Sequence, residues 1–113
     1  MMNDYIPKRG DVMWISLSPQ AGHEQSGRRP VLVLSPLPYN EKVGLAIICP
    51  ITNQIKGYPF EVKIPPKLDV SGVILSDQVK SLDWKARKAE YIVKLPTTVA
   101  TEVLKKLNTL LRF

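Results

Sequence analysis

The chain has 113 residues, of which 44% are apolar, and a formal net charge of +6. This length and composition predict a single domain over residues 1–113. The short, interrupted apolar runs exclude a membrane-spanning helix, which needs about 20 apolar residues. Cys49 and His23 are the only residues of their types, which excludes an internal disulfide and a conventional zinc cluster. The N-terminus lacks the apolar segment of a signal peptide, so we expect a cytoplasmic protein, and its positive charge favours polyanionic partners.

Three strands are predicted in the first half of the chain. Val12–Leu17 is rich in β-branched and aromatic residues, as strands are. The continuous apolar run Val31–Leu34 predicts a buried strand whose start is limited by Pro30, because proline lacks a ladder donor. Ser35–Asn40 contains two prolines and is expected to be irregular. Gly44–Ile51 predicts the third strand.

A polar loop, Ala21–Pro30, lies between the first two predicted strands. It holds two glycines, the only histidine, an acid and two adjacent arginines. Glu24 and Arg29 together can supply a proton acceptor and a fixed cation, a pair that suits phosphodiester chemistry. A solvated hairpin loop with surface charges explains the same residues, and for this segment alone it is the simpler interpretation.

The second half predicts further short strands. Apolar residues alternate with charged ones over Phe60–Ile64, which indicates a half-buried strand. Gly72–Lys80 is interpreted as one strand, although Asp77 and Gln78 in its centre cost free energy unless they are paired. Leu82–Ala89 predicts a turn or short helix, and Tyr91–Leu95 the last strand.

The C-terminal segment Thr98–Arg112 predicts a helix. Thr98 is the expected cap, and Glu102 is placed near the positive end of the helix dipole. Apolar residues recur with the helical period at Val99, Val103, Leu107, Leu110 and Leu111. Five to seven short strands followed by one helix favour a mainly β fold, a small β-barrel with a C-terminal helix.

Polar residues at the predicted strand ends and loops form four sets: Glu24 with Arg29, Thr52 with Lys56, Asp77 with Gln78, and Arg87. Metal-free RNA cleavage uses such groups, since the ribose 2′-OH needs a base and the phosphate needs cations or donors. Glu24 is the candidate base, Arg29 the phosphate cation and Thr52 a hydrogen-bond donor. Bases can stack on aromatic faces, offered by Tyr39, Tyr58, Phe60 and Trp84. The plain alternatives are a surface ion pair for Glu24, a turn bond for Thr52 and core positions for Phe60 and Trp84.

Six segments together carry a family resemblance: Arg9–Val12, Gly22–Pro30, Val33–Pro36, Pro50–Thr52, Lys56–Val62 and Asp77–Ser81. In this order they resemble the MazF/PemK-type toxins of bacterial toxin–antitoxin pairs, over nearly the whole chain. The Lys56–Val62 run resembles the MazF branch. The resemblance implies an SH3-like barrel in a homodimer.

The same resemblance implies a sequence-specific endoribonuclease that cuts single-stranded RNA, chiefly mRNA, without metal or other cofactor. Its products are a 2′,3′-cyclic phosphate and a 5′-OH, and its effect is arrest of translation and growth. The implied partner is an acidic antitoxin whose disordered tail competes with RNA. The family's catalytic positions map onto Glu24, Arg29 and Thr52. The implied RNA-binding residues are His23, Gln25, Arg28, Lys56, Asp77, Gln78, Lys80 and Arg87.

One departure limits this transfer. A Kid-like branch uses an arginine two residues before the strand aspartate, and here that position is Leu75. Asp77 therefore receives a structural or RNA-contacting role, and His23 replaces a small polar residue with its role open. Two other functions remain open: a non-catalytic nucleic-acid-binding barrel, and a gyrase-directed toxin of the CcdB type, which shares the barrel.

Overall fold

The computed structural model describes residues 4–17, 22, 23, 25 and 27–112. Within this part of the chain there are seven strands and two helices, in the following order: β1 (Asp11–Leu17), β2 (Gly27–Val33), α1 (Leu37–Val43), β3 (Leu45–Thr52), β4 (Glu61–Lys63), β5 (Val73–Leu75), β6 (Lys80–Asp83), β7 (Glu90–Lys94) and α2 (Thr97–Leu111). No helix in these residues is both long and apolar enough to cross a membrane.

The strands form one antiparallel sheet in the order β4-β5-β3-β2-β1-β7, and β6 pairs with β3 as well. The predicted mainly β fold with a C-terminal helix is confirmed. Closure into a barrel is not seen in the strand pairings of the described residues, since no ladder joins β4 to β7. Instead α2 packs beside β4 and covers that end of the sheet.

The middle of the sheet is buried on both faces, which explains why most of β1, the end of β2, β3 and β5 are rich in apolar residues. Successive residues of a strand point to opposite faces, so Val12 and Leu32 enter one core cluster and Met13 and Val31 enter the other. Helix α2 completes the first cluster with Val99, Val103 and Leu107, and Trp84 completes the second. Trp84 is thus a core residue, which was the alternative to its interpretation as a base-stacking face.

Helix α1 occupies the segment expected to be irregular, and that prediction is wrong. Pro36 is the N-cap and Pro38 lies in the first turn. The first N–H groups of a helix have no acceptor within the helix, so proline is tolerated there. Gly44 ends the helix in the left-handed conformation, with φ of 81°.

The single strand predicted over Gly72–Lys80 is also wrong. Strand β5 ends at Leu75, and a turn follows in which the N–H of Gln78 donates to the carbonyl of Leu75 at 3.1 Å. Asp77 lies in this turn and is exposed. Its carboxylate therefore remains in water, and the cost expected for an acid inside a strand does not arise.

Several boundaries differ from the sequence prediction, among them the starts of β2 and α2. Strand β2 begins at Gly27 and includes Pro30, which lies before the residues that pair with β3. Helix α2 has Pro96 as its N-cap and no side-chain cap, so Thr98 does not cap it. Glu102 lies beyond the first turn, whose residues include no acid.

Asn40 ties α1 to its surroundings from a fully buried position. Its side-chain amide donates to the carbonyls of Pro7 at 2.8 Å and Ser35 at 3.0 Å, and its side-chain oxygen accepts from the Ser35 hydroxyl. Its backbone carbonyl accepts a hydrogen bond from the indole N–H of Trp84 at 3.0 Å. The side chain of Asn40 thus pairs polar groups of Pro7 and Ser35, and its backbone pairs the indole of Trp84.

Replacing Asn40 with alanine removes the side-chain donor to the carbonyls of Pro7 and Ser35 and the acceptor of the Ser35 hydroxyl, while the Trp84 bond to the backbone carbonyl remains possible. We expect Asn40→Ala to lower the free energy of unfolding by about 2–4 kcal/mol, measured by urea unfolding at one fixed protein concentration. The matched control is Asn108→Ala on the exposed face of α2, which should change it by no more than about 0.5 kcal/mol. Equal losses in the two variants would contradict this assignment.

Cys49 gives a second test of the core, because its side chain is fully buried. Burial raises the pKa of the thiol to about 12, with a smaller contribution from Asp77. The thiolate is the reactive form, so the folded protein should resist alkylation at mildly alkaline pH and react fully in concentrated guanidinium chloride. Ser81→Cys, at an exposed position of β6, is the control and should react in the folded state. Rapid labelling of folded wild-type protein would show that the core is open.

Candidate active site

A cleft of about 300 Å³ opens where β3 ends. Three segments line it: the loop before β2, the segment from the end of β3 to the start of β4, and the turn after β5. The lining residues are His23, Gln25, Thr52, Gln54, Lys56, Tyr58, Glu61, Leu75, Asp77 and Gln78. All but Leu75 bring a polar group, so the cleft is suited to a charged, hydrogen-bonding ligand.

The register of β2 and β3 relates Arg29 to Thr52. The antiparallel pairs are Val33 with Ile48, Leu32 with Cys49, and Val31 with Pro50, where the ladder stops. Counted two residues beyond this last pair, the same register relates Arg29 to Thr52 on one face of the sheet, although there β2 pairs only with β1 and β3 with β5. Thr52 lines the cleft and Arg29, half-buried on β2, stands outside its lining.

Thr52 is buried at the end of β3, and its hydroxyl oxygen accepts a hydrogen bond from the N–H of Gln54 at 3.1 Å. This is the turn bond of the plain alternative. A hydroxyl has one donor and two acceptor positions, so the same group can still donate its proton to a ligand. The turn bond and a role in binding are therefore compatible.

Glu61 holds the segment that carries Lys56. Its two carboxylate oxygens accept from the backbone N–H groups of Lys56 at 2.8 Å and Gly57 at 2.9 Å. Hydrogen bonds to an ionised carboxylate are among the stronger ones in proteins. The backbone at Lys56 is thus fixed while its ammonium group remains exposed beside the cleft.

Tyr58 and Asp77 connect the second and third segments. The Tyr58 hydroxyl donates to the carboxylate of Asp77 at 2.7 Å. Burial, and then this hydrogen bond and the charge of Asp77, raise the pKa of Tyr58 well above its ordinary value. Tyr58 therefore stays protonated and remains a donor throughout the physiological pH range.

Gln78 connects the third segment to the first. Its carboxamide oxygen accepts from the N–H of Gln25 at 3.3 Å, and its carboxamide nitrogen donates to the carbonyl of His23 at 3.4 Å. The turn after β5 therefore contacts both other segments, through Asp77 on one side and Gln78 on the other.

The structure brings six of the predicted site residues together in the cleft: His23, Gln25, Thr52, Lys56, Asp77 and Gln78. Glu24 lies outside the described residues. The other predicted residues stand outside the cleft lining.

Arg29 lies on β2, and the other three residues have the following contacts or pairings. Arg28 forms an ion pair with Glu90 at 2.8 Å and donates to the carbonyl of Lys88. The side chain of Arg87 donates to the carbonyl of Ser16 at 3.0 Å. Lys80 lies on β6, where its backbone is opposite Ile48 of β3 in the strand ladder. Any RNA contact they make must lie beside the cleft.

Sequence reasoning missed Gln54 and Glu61 as part of this site. Glu61 looked like an ordinary polar position of an alternating strand. Its partners are the N–H groups four and five residues earlier, and a glycine-containing polar loop followed by an acid is only a weak signal for such a contact. In the residues described, no group of three His, Cys, Asp or Glu side chains is placed to share a metal ion.

The clamp formed by Glu61 predicts a local change in dynamics. Glu61→Ala should speed hydrogen exchange at the amides of Lys56 and Gly57 by about tenfold or more, since their acceptor is lost. Glu102→Ala, on the exposed surface of α2, should leave these amides unchanged. Exchange followed residue by residue by NMR measures both, and unaltered rates in Glu61→Ala would refute the clamp.

Comparison with known proteins places these features in context. The family of PemK-like, MazF-like toxins of type II toxin–antitoxin systems matches residues 8–111. The chain is 48% identical over 89 residues to the endoribonuclease toxin MazF of Escherichia coli K12, covering 79% of each. It is 36% identical over 108 residues to the endoribonuclease PemK of Escherichia coli, covering 92% of this chain and 81% of the relative.

Solved structures agree in fold. MazF from Deinococcus radiodurans matches with a TM-score of 0.92 at 54% identity, covering 96% of this chain and 98% of that one. A MazE–MazF complex from the same organism contains a chain that matches with a TM-score of 0.87 at 54% identity, covering 96% and 97%.

Proposed function

Because the chain belongs to the family of PemK-like and MazF-like toxins of type II toxin–antitoxin systems, we propose that it is a sequence-specific, metal-independent endoribonuclease that cuts single-stranded RNA, chiefly mRNA. The observation that carries the proposal is the cleft at the end of β3. There Thr52 and Lys56 line one cleft with His23 and Gln25 of the loop before β2, and from the β2–β3 register, extended two residues beyond the last pair, we infer that Arg29 lies near Thr52. These groups can bind a phosphodiester and stabilise added negative charge.

The proposed reaction is transphosphorylation within the RNA. Glu24 accepts the proton of a ribose 2′-OH, and the 2′-oxygen attacks the adjacent phosphorus. The guanidinium of Arg29 and the hydroxyl of Thr52 stabilise the charge that builds up on the non-bridging oxygens. The bond from phosphorus to the 5′-oxygen breaks and that oxygen takes up a proton. The products are a 2′,3′-cyclic phosphate and a 5′-OH, and loss of intact mRNA arrests translation and growth.

We propose that the RNA lies across the cleft, with flanking phosphates on the basic residues beside it. Lys56 offers an exposed ammonium group in the cleft, and His23, Gln25 and Asp77 lie on its walls. Arg28 is held by an exposed ion pair with Glu90. Because exposed ion pairs contribute about 0–1 kcal/mol, a phosphate can replace Glu90 at little cost. Lys80 and Arg87 are proposed as further flanking contacts.

The proposed protein partner is an acidic antitoxin with a disordered tail that competes with RNA. A relative at 54% identity forms a MazE–MazF complex, and the net charge of +6 favours an acidic partner. We further propose a cytoplasmic location, where mRNA is translated, and a single toxin domain over residues 1–113.

A homodimer is proposed from an apolar groove of about 490 Å³ between α2 and the segment around α1. Leu104, Leu111, Tyr39 and Val79 are partly exposed there. Grooves of this kind mark interaction surfaces, because their burial removes apolar area from water.

The cleavage reaction gives the direct test. A long single-stranded RNA incubated with the protein in EDTA should yield fragments with 2′,3′-cyclic phosphate and 5′-OH ends. The same RNA with a 2′-deoxyribose at the mapped cut site should stay intact there, because its nucleophile is missing. RNA that is bound but uncut would favour the non-catalytic barrel, and inhibition of DNA supercoiling without RNA cleavage would favour the gyrase-directed toxin.

Arg29→Ala is expected to lower the cleavage rate by about 10²–10³-fold, because one preorganised charge partner of the phosphate is removed. Arg112→Ala, at the exposed end of α2, is purified in parallel and should retain full activity, which also reports contaminating nucleases. Full activity in a folded Arg29→Ala protein would contradict the assignment of Arg29.

Glu24→Gln should slow cleavage less severely than Arg29→Ala in the same assay, because water can accept the proton.

A further inference from the structure

Gln78 contacts the loop before β2 through both polar atoms of its carboxamide. The carbonyl of His23 belongs to the peptide bond between residues 23 and 24, and the N–H of Gln25 belongs to the peptide bond between residues 24 and 25. Gln78 donates to the first at 3.4 Å and accepts from the second at 3.3 Å. One carboxamide thus binds the two peptide groups that flank position 24.

We propose that Gln78 is a positioning residue: it fixes the backbone of His23 and Gln25, the two chain neighbours of the proposed proton acceptor Glu24, and thereby supports removal of the 2′-OH proton. This role rests on the proposed function, in which Glu24 is the proton acceptor. It replaces the RNA contact that the sequence resemblance implies for Gln78.

The chemistry of the two contacts fixes the orientation of the carboxamide. A backbone N–H can only donate and a carbonyl can only accept, so the oxygen of Gln78 must face Gln25 and its nitrogen must face His23. Glutamate at this position would keep the first contact and lose the second, since a carboxylate has no donor. Leucine, of similar size, would lose both.

The turn that carries Gln78 is itself well anchored. Its N–H donates to the carbonyl of Leu75 at 3.1 Å. Two residues earlier, Ser76 is fully buried, its N–H donates to the carbonyl of Phe60 at 3.0 Å, and its carbonyl accepts from the thiol of Cys49. A side chain that extends from such a base can hold a loop in place, whereas one on a loose turn cannot.

This two-point contact, a tether, lies between two glycines of positive φ, Gly22 at 59° and Gly27 at 76°, a conformation that glycine adopts at little cost. Misplacement of a catalytic group by about 1 Å can cost about 10²-fold in rate. A two-point hydrogen bond next to position 24 limits that misplacement.

The test compares Gln78→Leu and Gln78→Glu with wild type, each also in a Glu24→Gln background. Cleavage of a short oligoribonucleotide containing the mapped cut sequence gives kcat and KM. We expect Gln78→Leu to lower kcat by about 10–100-fold with KM changed by less than about twofold, and Gln78→Glu to fall between. In the Glu24→Gln background, Gln78→Leu should have almost no further effect, because the group it positions has lost its role.

Three kinetic outcomes would overturn the proposal: unchanged kcat, a rise in KM alone, which indicates an RNA contact, or an equal loss of kcat in both backgrounds.

Hydrogen exchange at the Gln25 amide tests the tether independently of any activity measurement. It should speed up in Gln78→Leu and remain protected in Gln78→Glu, and unchanged protection in Gln78→Leu would refute the tether. If wild-type protein cuts no RNA, the proposed function fails and the catalytic role of Gln78 falls with it, while the exchange result still decides the contact. Should Gln78→Leu fail to fold by circular dichroism, Gln78→Asn, which is one methylene too short to reach both groups, takes its place.

Discussion

The cleft depends on the early end of the ladder between β2 and β3. Its last pair is Val31 with Pro50, and Pro30 is the next residue of β2. Pro30 has no N–H, so it cannot donate the next hydrogen bond of the ladder to β3. The end of β3 pairs with β5. Beyond this pair β2 continues to Arg29 and β3 to Thr52, each paired with a different strand, and Thr52 lines the cleft that opens there.

The strands were the easier part of the fold to predict. Runs such as Val12–Leu17 are apolar enough to be buried on both faces, and they lie within the observed strands. Helix α1 was missed because its prolines were taken as breakers, although at a helix start they cost little. The strand predicted over Gly72–Lys80 hid a turn, because apolar residues on both sides of Asp77 continue the strand pattern. Local patterns do not show where a chain leaves one strand and begins the next.

Residue chemistry located much of the candidate site, but not its internal contacts. Thr52, Lys56 and Asp77 were chosen by type and resemblance, and all line the cleft. The contacts of Gln78 join residues more than fifty positions apart, and no local pattern encodes such a distance. The same reasoning could not separate the residues of the cleft from Arg28, Lys80 and Arg87, which stand outside its lining, because one basic side chain resembles another until the fold orders them in space.

The clamp at Glu61 has a consequence for how the cleft meets anions. Two consecutive backbone N–H groups that converge on one point form a nest, a general receptor for phosphate and other anions. Here the nest at Lys56 and Gly57 already holds a carboxylate from the same chain. An intramolecular ligand acts at high effective concentration, so a phosphate from solution competes with it poorly. In this part of the cleft, electrostatic attraction of RNA phosphates then depends on the Lys56 ammonium. This group is a hydrated point charge, and its contribution to RNA affinity weakens as the salt concentration rises.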